Sequence, residues 1–276
     1  MWNGSTRLSL AMAIAGTIGI FVLASGQPAP TVVFYRCLFG AAALWTWLLW
    51  DGNWQPMKEG ALLWLVLGAL SLVGNWVCLF LAFKYSSISV ATIVYHTQPF
   101  ILLLLVAVQT RALPDKRKLA WLGLAFAGVV MVSLRDGEGA SAQGVLLALA
   151  AALLYALSTQ ATRKLSAYAP AQIAGMQMLI GALALSPFSH LVVVADPFTS
   201  WTSLMLLGLV HTGLMYHLMY SSYQSLRPEA IATLAFIYPA VAVLVDRLVL
   251  GTQLAGLQLA GLGLIVLAVV ANQRLR

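Results

Sequence analysis

Long apolar stretches separated by short polar breaks run through the chain from one end to the other. Each stretch is about 17 to 23 residues long, which matches the ~30 Å hydrocarbon core of a bilayer when the segment is an α-helix. The stretches are apolar on every side, whereas a membrane strand would alternate between apolar and polar residues. The pattern therefore predicts an all-α integral membrane protein.

Ten such stretches predict ten transmembrane helices. The predicted helices cover residues 8–24, 30–50, 61–83, 88–108, 118–134, 144–163, 170–190, 201–223, 229–249 and 254–272. Composition agrees, because 61% hydrophobic and only 8% charged residues in a chain of 276 exclude a soluble domain. A competing interpretation of the first stretch is a cleaved signal peptide, since Arg7 precedes an apolar run that ends at Ala24-Ser25-Gly26.

Positive charges concentrate on alternate loops. With a cytoplasmic amino terminus, eleven Lys and Arg residues lie on inner segments and three, Lys84, Arg135 and Arg247, on outer ones. This bias predicts a multi-pass protein of the cell (inner or plasma) membrane with both termini in the cytoplasm. It also explains the net charge of +7 without a nucleic-acid partner. Cys37 and Cys78 fall inside predicted helices, so neither a disulfide nor a metal site is predicted.

The two halves of the chain resemble each other at a shift of 140 residues. The shift aligns Pro30 with Pro170, Leu67-Gly68 with Leu207-Gly208, and Pro99 with Pro239. We therefore predict two five-helix repeats, residues 1–140 and 141–276, that form one transport domain. Because five is odd, the second repeat enters the membrane inverted, which is the architecture of many secondary transporters.

Several segments then carry a resemblance to a known family. They are FYR at 34–36, SSISVATIVYHTQPF at 86–100 and its echo RPEAIATLAFIYP at 227–239. With ten helices arranged as five plus five, the chain resembles the EamA-type drug/metabolite transporters, and within them the YddG group of aromatic and hydrophobic amino-acid exporters. The resemblance implies export, and a substrate site in a central cavity lined by helices one, three, four, six, eight and nine.

One feature of that family is missing from both halves. Its members often carry a Gly-Glu pair after the fourth and ninth helices, where this chain has Gln109-Thr110 and Gly251-Thr252. The departure leaves the fold in place but puts in doubt any coupling role carried over for the glutamate.

Polar side chains inside the predicted helices are the candidate functional residues, because burying them in hydrocarbon is costly unless they face a partner or a wet cavity. The candidates for substrate binding are Tyr95, His96, Gln98, Asn75, His211, Met215, Tyr216, Tyr238, Tyr155 and Arg36. Each has a purely structural alternative. His96 could donate to a neighbouring carbonyl, Asn75 could join two helices, and Arg36 could snorkel or cap backbone carbonyls rather than capture a carboxylate.

Two prolines interrupt the predicted fourth and ninth helices. Pro99 cannot donate to the Tyr95 carbonyl, and Pro239 cannot donate to the Ala235 carbonyl, so both oxygens are predicted to be available. We expect Pro99 and Pro239 to act as hinges or kinks. On a continuous helix, His96 would share one face with Thr92 and Pro99.

These features predict a transporter, not an enzyme, without a cofactor or metal. Its cargo is a small amphipathic metabolite, with aromatic or hydrophobic amino acids preferred, and it works by alternating access. All eight acidic residues lie in loops or at helix ends, so proton coupling would have to use His96, His211 or His217. Flux driven by the cargo gradient is the simpler mechanism.

Three questions stay open. The same scaffold could carry a cationic drug or a sugar or nucleotide metabolite. A membrane-embedded enzyme is a remote alternative, because HExxH and Gly-Xaa-Ser-Xaa-Gly motifs are absent from the sequence. The oligomeric state is not predicted.

Overall fold

The computed structural model describes residues 3–86, 88–112, 114–133, 141–250 and 256–274, and within those ranges every regular element is helical. The α-helices are α1 (Gly4–Gly16), α2 (Ile18–Ser25), α3 (Ala29–Asp51), α4 (Glu59–Tyr85), α5 (Ile88–Tyr95), α6 (Gln98–Thr110), α7 (Lys116–Ser133), α8 (Ala142–Lys164), α9 (Pro170–Leu185), α10 (Pro197–Gly208), α11 (Met215–Tyr223), α12 (Pro228–Leu234), α13 (Ile237–Leu250) and α14 (Gly256–Arg274). A 3₁₀ turn (Ser186–Phe188) follows α9, and a π-helical segment (Leu209–Leu214) joins α10 to α11. The predicted positions Arg135 and Gly251-Thr252 lie outside the described residues.

Eight helical segments of the described chain are long and apolar enough to cross a membrane. They are Gly4–Ser25, Ala29–Asp51, Glu59–Ala82, Val90–Thr110, Ala142–Lys164, Pro170–Phe188, Pro197–Tyr223 and Pro228–Val249. The two other predicted spans are helical as well. However, the apolar part of α14 is shorter (Gly256–Asn272), and α7 begins with three basic residues. The helical membrane class is thus confirmed, while the number ten remains a prediction.

Three of the predicted spans are interrupted rather than continuous. Thr17 separates α1 from α2, and short turns separate α5 from α6 and α12 from α13. The second and third breaks lie just before Pro99 and Pro239, whose missing amides weaken the helix at those points. The predicted face through Thr92, His96 and Pro99 is therefore interrupted between His96 and Pro99, while the His96 amide still bonds to the Thr92 carbonyl at 3.0 Å, as in a continuous helix.

The carbonyl freed by the second proline also differs from the prediction. The amide of Tyr238 approaches the Ala235 carbonyl oxygen at 3.3 Å, so this oxygen is bonded within the turn. In the first half, by contrast, the amide of Thr97 bonds to the Val94 carbonyl, and no described backbone amide outside the helices donates to Tyr95. The prediction is therefore wrong for the Ala235 carbonyl, and for the Tyr95 carbonyl it stays a prediction.

The chain forms two compact units that do not follow its two halves. Unit 1 comprises Met1–Gly74 and Leu157–Ser225, and unit 2 comprises Asn75–Ala156 and Leu226–Arg276. Each unit combines two segments distant in sequence, and two of the three boundaries lie inside α4 and α8, with the third between α11 and α12. The halves 1–140 and 141–276 thus remain a prediction about the sequence repeat.

In unit 1, α3 packs against α9 and α10, and α1 packs against α11. The side chains of Val32, Leu204 and Leu207 form a fully buried core between α3 and α10. Gly208 lets these helices approach closely, since a methyl group there would collide with Phe39. Small residues at helix contacts are typical of membrane proteins, where association depends on close packing.

In unit 2, α7 packs along α14, and α12 packs against α6. The closest approach lies at Gly128 and Gly261, where a β-carbon on either glycine would come within 2.7 Å of the other's carbonyl oxygen. Beside it, the amide of Asn272 donates a hydrogen bond to the Thr233 hydroxyl, so α14 also holds α12. These contacts place the residues that follow α12 within the same unit as α5 and α6.

Candidate functional site

Unit 2 contains a group of rings, here called the aromatic cluster, formed by Tyr95, His96, Tyr155, Phe236 and Tyr238. The imidazole of His96 stacks on the Tyr238 ring, with 5.7 Å between centroids and 12° between planes. The Phe236 ring lies 6.1 Å from the same imidazole. Tyr95 meets His96 edge to face at 5.7 Å and approaches the Tyr155 ring at 6.0 Å. Such separations are those of favourable ring pairs.

The helix breaks build the aromatic cluster. His96 follows the last residue of α5, and Phe236 and Tyr238 flank the start of α13. Because the chain leaves the regular helix at both places, side chains that a continuous helix would spread over several faces converge instead. Tyr95 and Tyr238 are half-buried, and His96 is 5% exposed.

His96 makes one hydrogen bond within the described part of the chain. Its Nδ1 lies 2.7 Å from the Thr92 carbonyl oxygen. A carbonyl can only accept, so Nδ1 carries the hydrogen and, in the neutral ring, Nε2 is left as an acceptor. The structure thus shows His96 donating to a neighbouring carbonyl, which was the structural alternative. This bond lies at the edge of the ring, so a ring face still stacks on Tyr238.

Asn75 is fully buried next to the aromatic cluster and is not paired. Its side chain interacts with the Tyr95 hydroxyl, but the geometry is too poor for a regular hydrogen bond, and neither its amide nitrogen nor its oxygen has a well-formed one with any described residue. A buried, unpaired polar group costs about 1–3 kcal/mol, so its presence needs an explanation. Gln98, at the first position of α6, is also buried, at 4% exposed.

Unit 1 contains a second group, here called the polar cluster, formed by Thr17, Arg36, His211 and Thr212. The Nε2 atom of His211 lies 2.7 Å from the Thr17 hydroxyl, and its Nδ1 lies 3.2 Å from the Leu206 carbonyl oxygen. The Thr212 hydroxyl donates to the Leu207 carbonyl at 2.8 Å.

The π-helical segment explains why these side chains bond to backbone. In a π-helix the backbone bonds skip one residue further than in an α-helix, which frequently marks a functional site. His211 and Thr212 each reach a carbonyl five residues earlier. The segment thereby turns His211 toward Thr17, at the break between α1 and α2.

Arg36 is bound inside the polar cluster. It is 2% exposed, and its Nε donates to the Thr212 hydroxyl at 3.3 Å. Its Nη2 lies 3.5 Å from the carbonyl oxygen of His211. The guanidinium thus caps the backbone of the π-helical segment, as the structural alternative held. Whether it also captures a carboxylate stays a prediction.

The remaining candidates of unit 1 are buried. Met215 and Tyr216 are 4% and 2% exposed, and the Tyr216 ring meets Tyr220 edge to face at 5.4 Å. The sequence reasoning missed Thr17 and Phe236. Phe236 could have been found, because the 140-residue shift pairs it with His96. No pattern in the sequence marks Thr17.

The described ranges contain no candidate set of metal ligands, because no three His, Cys, Asp or Glu side chains come together there. The aromatic cluster offers ring faces and an amide, and the polar cluster offers an imidazole, hydroxyls and a guanidinium. Such groups can hold an organic molecule or a proton by ring stacking and hydrogen bonds.

Comparison with solved structures shows the fold. A crystal structure covers 99% of this chain and 99% of its own, with a TM-score of 0.86 and 18% sequence identity. At that identity the likeness speaks for the fold alone.

Sequence relatives are transporters. An uncharacterized transporter, YxxF, of Bacillus subtilis (strain 168) is 30% identical over 89% of this chain and 81% of its own length. An uncharacterized transporter of Archaeoglobus fulgidus is 26% identical over 86% of each chain. The model of the EamA-like transporter family matches twice, at residues 4–134 and 142–272. Because those two matches take in nearly the whole sequence, the chain belongs to the EamA-like transporter family.

Proposed function

We propose that this membrane transporter exports aromatic and hydrophobic amino acids, and that the aromatic cluster of unit 2 binds them. Membership of the family implies a small-molecule cargo and a lipid bilayer. The observation that carries the choice of cargo is the unpaired Asn75 amide beside a set of stacked rings.

The aromatic cluster matches the two parts of such a cargo. Ring faces at stacking distance favour an apolar or aromatic side chain, each ring pair contributing about 0.5–1.5 kcal/mol. The Asn75 amide has one acceptor and one donor group, which could pair with the ammonium and the carboxylate of an amino acid. Binding would then pair the polar atoms that the empty protein leaves unpaired.

Alternating access between two inverted repeats is the mechanism we propose. The double match to one family model supports a repeat. Within each unit, helices that the 140-residue shift makes equivalent contact each other: α3 packs on α9 in unit 1, and α7 packs on α14 in unit 2. Contacts between equivalent elements are what a two-fold relation produces. With five helices in each repeat, the relation is an inversion, and both termini lie in the cytoplasm of a cell (inner or plasma) membrane.

Efflux from proteoliposomes tests the cargo. Vesicles holding the purified protein are loaded with single labelled amino acids, and release is followed for the parent, Tyr95→Ala and His96→Ala. We expect the parent to release aromatic and large apolar amino acids faster than charged ones, and both variants to lose that release. Phe126→Leu is the matched control, because Phe126 packs on Phe100 in the same unit outside the aromatic cluster.

A cationic cargo is the second candidate, because aromatic faces also attract cations. Such a cargo usually needs a nearby carboxylate, and no acidic side chain is recorded at the aromatic cluster among the described residues. Strong competition by cationic dyes, together with no release of any amino acid, would favour the cation and contradict the proposal.

A further inference from the structure

Two irregular stretches of backbone meet in unit 1 at a hydrogen bond between side chains. One is the break at Thr17, where α1 ends and α2 begins, and the other is the π-helical segment that carries His211. Neither stretch is needed to span a membrane. The contact between them, from His211 Nε2 to the Thr17 hydroxyl, is 2.7 Å long.

The hydrogens around His211 can be counted. The Leu206 carbonyl only accepts, so Nδ1 must donate to it in every state of the ring. The Thr17 hydroxyl lies 2.8 Å from the Ile14 carbonyl and 2.7 Å from Nε2, but it has a single hydrogen to give. In the neutral ring, Thr17 donates that hydrogen to Nε2.

A second ring proton fits the same heavy atoms. When Nε2 takes up a proton, it becomes the donor to the Thr17 oxygen, and the hydroxyl turns its hydrogen to the Ile14 carbonyl. The Nε2–H bond forms as an O–H bond of a hydronium ion from the water phase breaks and leaves water, while the Thr17 hydroxyl keeps its own hydrogen and only rotates it from Nε2 to the Ile14 carbonyl. Each donor therefore has an acceptor both before and after protonation.

We propose that His211 and Thr17 form the proton-binding site that couples proton movement to cargo export. This inference rests on the proposed function, since it adds the driving ion to the same transport cycle. The Thr17 hydroxyl changes its hydrogen-bond acceptor when the imidazole is protonated. Proton uptake therefore acts at the break between α1 and α2, where the first predicted span is already discontinuous.

The charged group beside His211 favours release of the bound proton. From α3, Arg36 donates toward the carbonyl of His211 and is the one charged group that acts on its ring within the described chain. From α2, the uncharged Phe21 ring lies 4.8 Å from the imidazole. Arg7 of α1 and Asp51 of α3 act on His217 instead. A buried imidazolium beside a guanidinium is repelled, so the proton is held transiently, as a coupling ion must be.

The first test observes the proton directly and needs no cargo. The full chain, with ¹⁵N-labelled histidine, is placed in lipid nanodiscs, and the ring nitrogens are followed by NMR from neutral to about pH 6, where histidines commonly titrate. His211→Gln identifies the signal by its loss. We expect His211 to gain a second ring proton, Thr17→Ser to preserve this, and Thr17→Val, which lacks the acceptor oxygen, to leave a smaller protonated fraction at the same pH.

Either of two results would overturn the site. One is a His211 ring that keeps a single proton across the range in which the protein stays folded. The other is a Thr17→Val spectrum that titrates like the parent. Circular dichroism of each variant excludes misfolding as the cause.

The second test concerns coupling and separates this inference from the proposed function. In proteoliposomes, an imposed pH gradient should accelerate amino-acid efflux through the parent and Thr17→Ser, but not through Thr17→Val or His211→Gln. Parent vesicles that release no amino acid would contradict the proposed function, while the NMR result still decides the proton site. Parent efflux that ignores the pH gradient would refute the coupling.

Discussion

The two buried histidines of the described chain that lie near helix breaks, His96 in unit 2 and His211 in unit 1, differ in what surrounds them. His96 has one hydrogen bond and is enclosed by rings, with Tyr238 stacked on its face. Both ring nitrogens of His211 are hydrogen-bonded, Nδ1 to the Leu206 carbonyl and Nε2 to the Thr17 hydroxyl. That hydroxyl also lies within hydrogen-bonding distance of the Ile14 carbonyl. The same residue type therefore offers two different surfaces: a ring face, to which we assign the proposed cargo, and a hydrogen-bonded imidazole, to which we assign the proposed proton.

The largest expected effect is on stability, and it concerns the close helix packing of unit 2. Gly128→Leu should destabilise unit 2 by about 1–3 kcal/mol or more, because its side chain would enter the space of the Gly261 backbone. Gly123→Leu, on the same helix with no atom within 4 Å of an added β-carbon, should be nearly neutral. Thermal unfolding in detergent measures both. Equal losses would mean that α7 and α14 do not meet at Gly128.

Asn75 provides the next contrast, since the polar cluster of unit 1 has no such fully buried, unpaired amide in the described chain. Asn75→Leu should raise the free energy of unfolding by about 1–3 kcal/mol, because an unpaired polar group is replaced by an apolar one. Amino-acid efflux should fall at the same time. A variant that is more stable and equally active would remove Asn75 from the proposed binding site.

Replacing each histidine by phenylalanine should then have opposite outcomes. His96→Phe keeps a ring against Tyr238, and the stack it preserves is worth about 0.5–1.5 kcal/mol, so efflux should stay within about tenfold of the parent. His211→Phe removes both ring nitrogens, so efflux should no longer respond to a pH gradient. Efflux measured with and without the gradient decides, and a pH response lost only in His96→Phe would reverse the assignment.

The smallest effect concerns helix ends. The side chain of Asp196 caps α10, whereas Thr97 provides no side-chain cap for α6. Hydrogen bonds from the hydroxyl and the amide of Thr199 hold the pKa of the Asp196 carboxyl below its usual 3.8. A lowered pKa in the folded state contributes stability at neutral pH that is lost as the pH falls through that value.

Asp196→Ala should accordingly lower the melting temperature slightly at pH 7, and the difference from the parent should disappear in strong acid. Asp196→Asn, which can still cap, is the control. A difference that persists in acid would mean that the charge of Asp196 has no part in the cap.

The breaks show how far the sequence reasoning reached. Pro99 and Pro239 predict irregular backbone, since a proline has no backbone N–H to donate. They do not predict the residue at which the helix ends. The turns come before each proline, so Pro99 is separated from Thr92 and His96, while the ring of His96 contacts Tyr238 and Phe236 from the other half of the chain. That convergence depends on contacts between distant segments, which local pattern cannot supply.

By itself, the sequence determined the class of the protein. Apolar length sets the helices, because hydrocarbon leaves the backbone no other way to satisfy its hydrogen bonds, and the repeated landmarks mark two related halves. Only the tertiary structure decided that Arg36 caps the π-helical segment and that His211 finds Thr17, 194 residues away in the chain. The reason is that a buried polar atom forms its hydrogen bond with a partner about 3 Å away in space. The spacing of residues along the sequence does not indicate which partner that is.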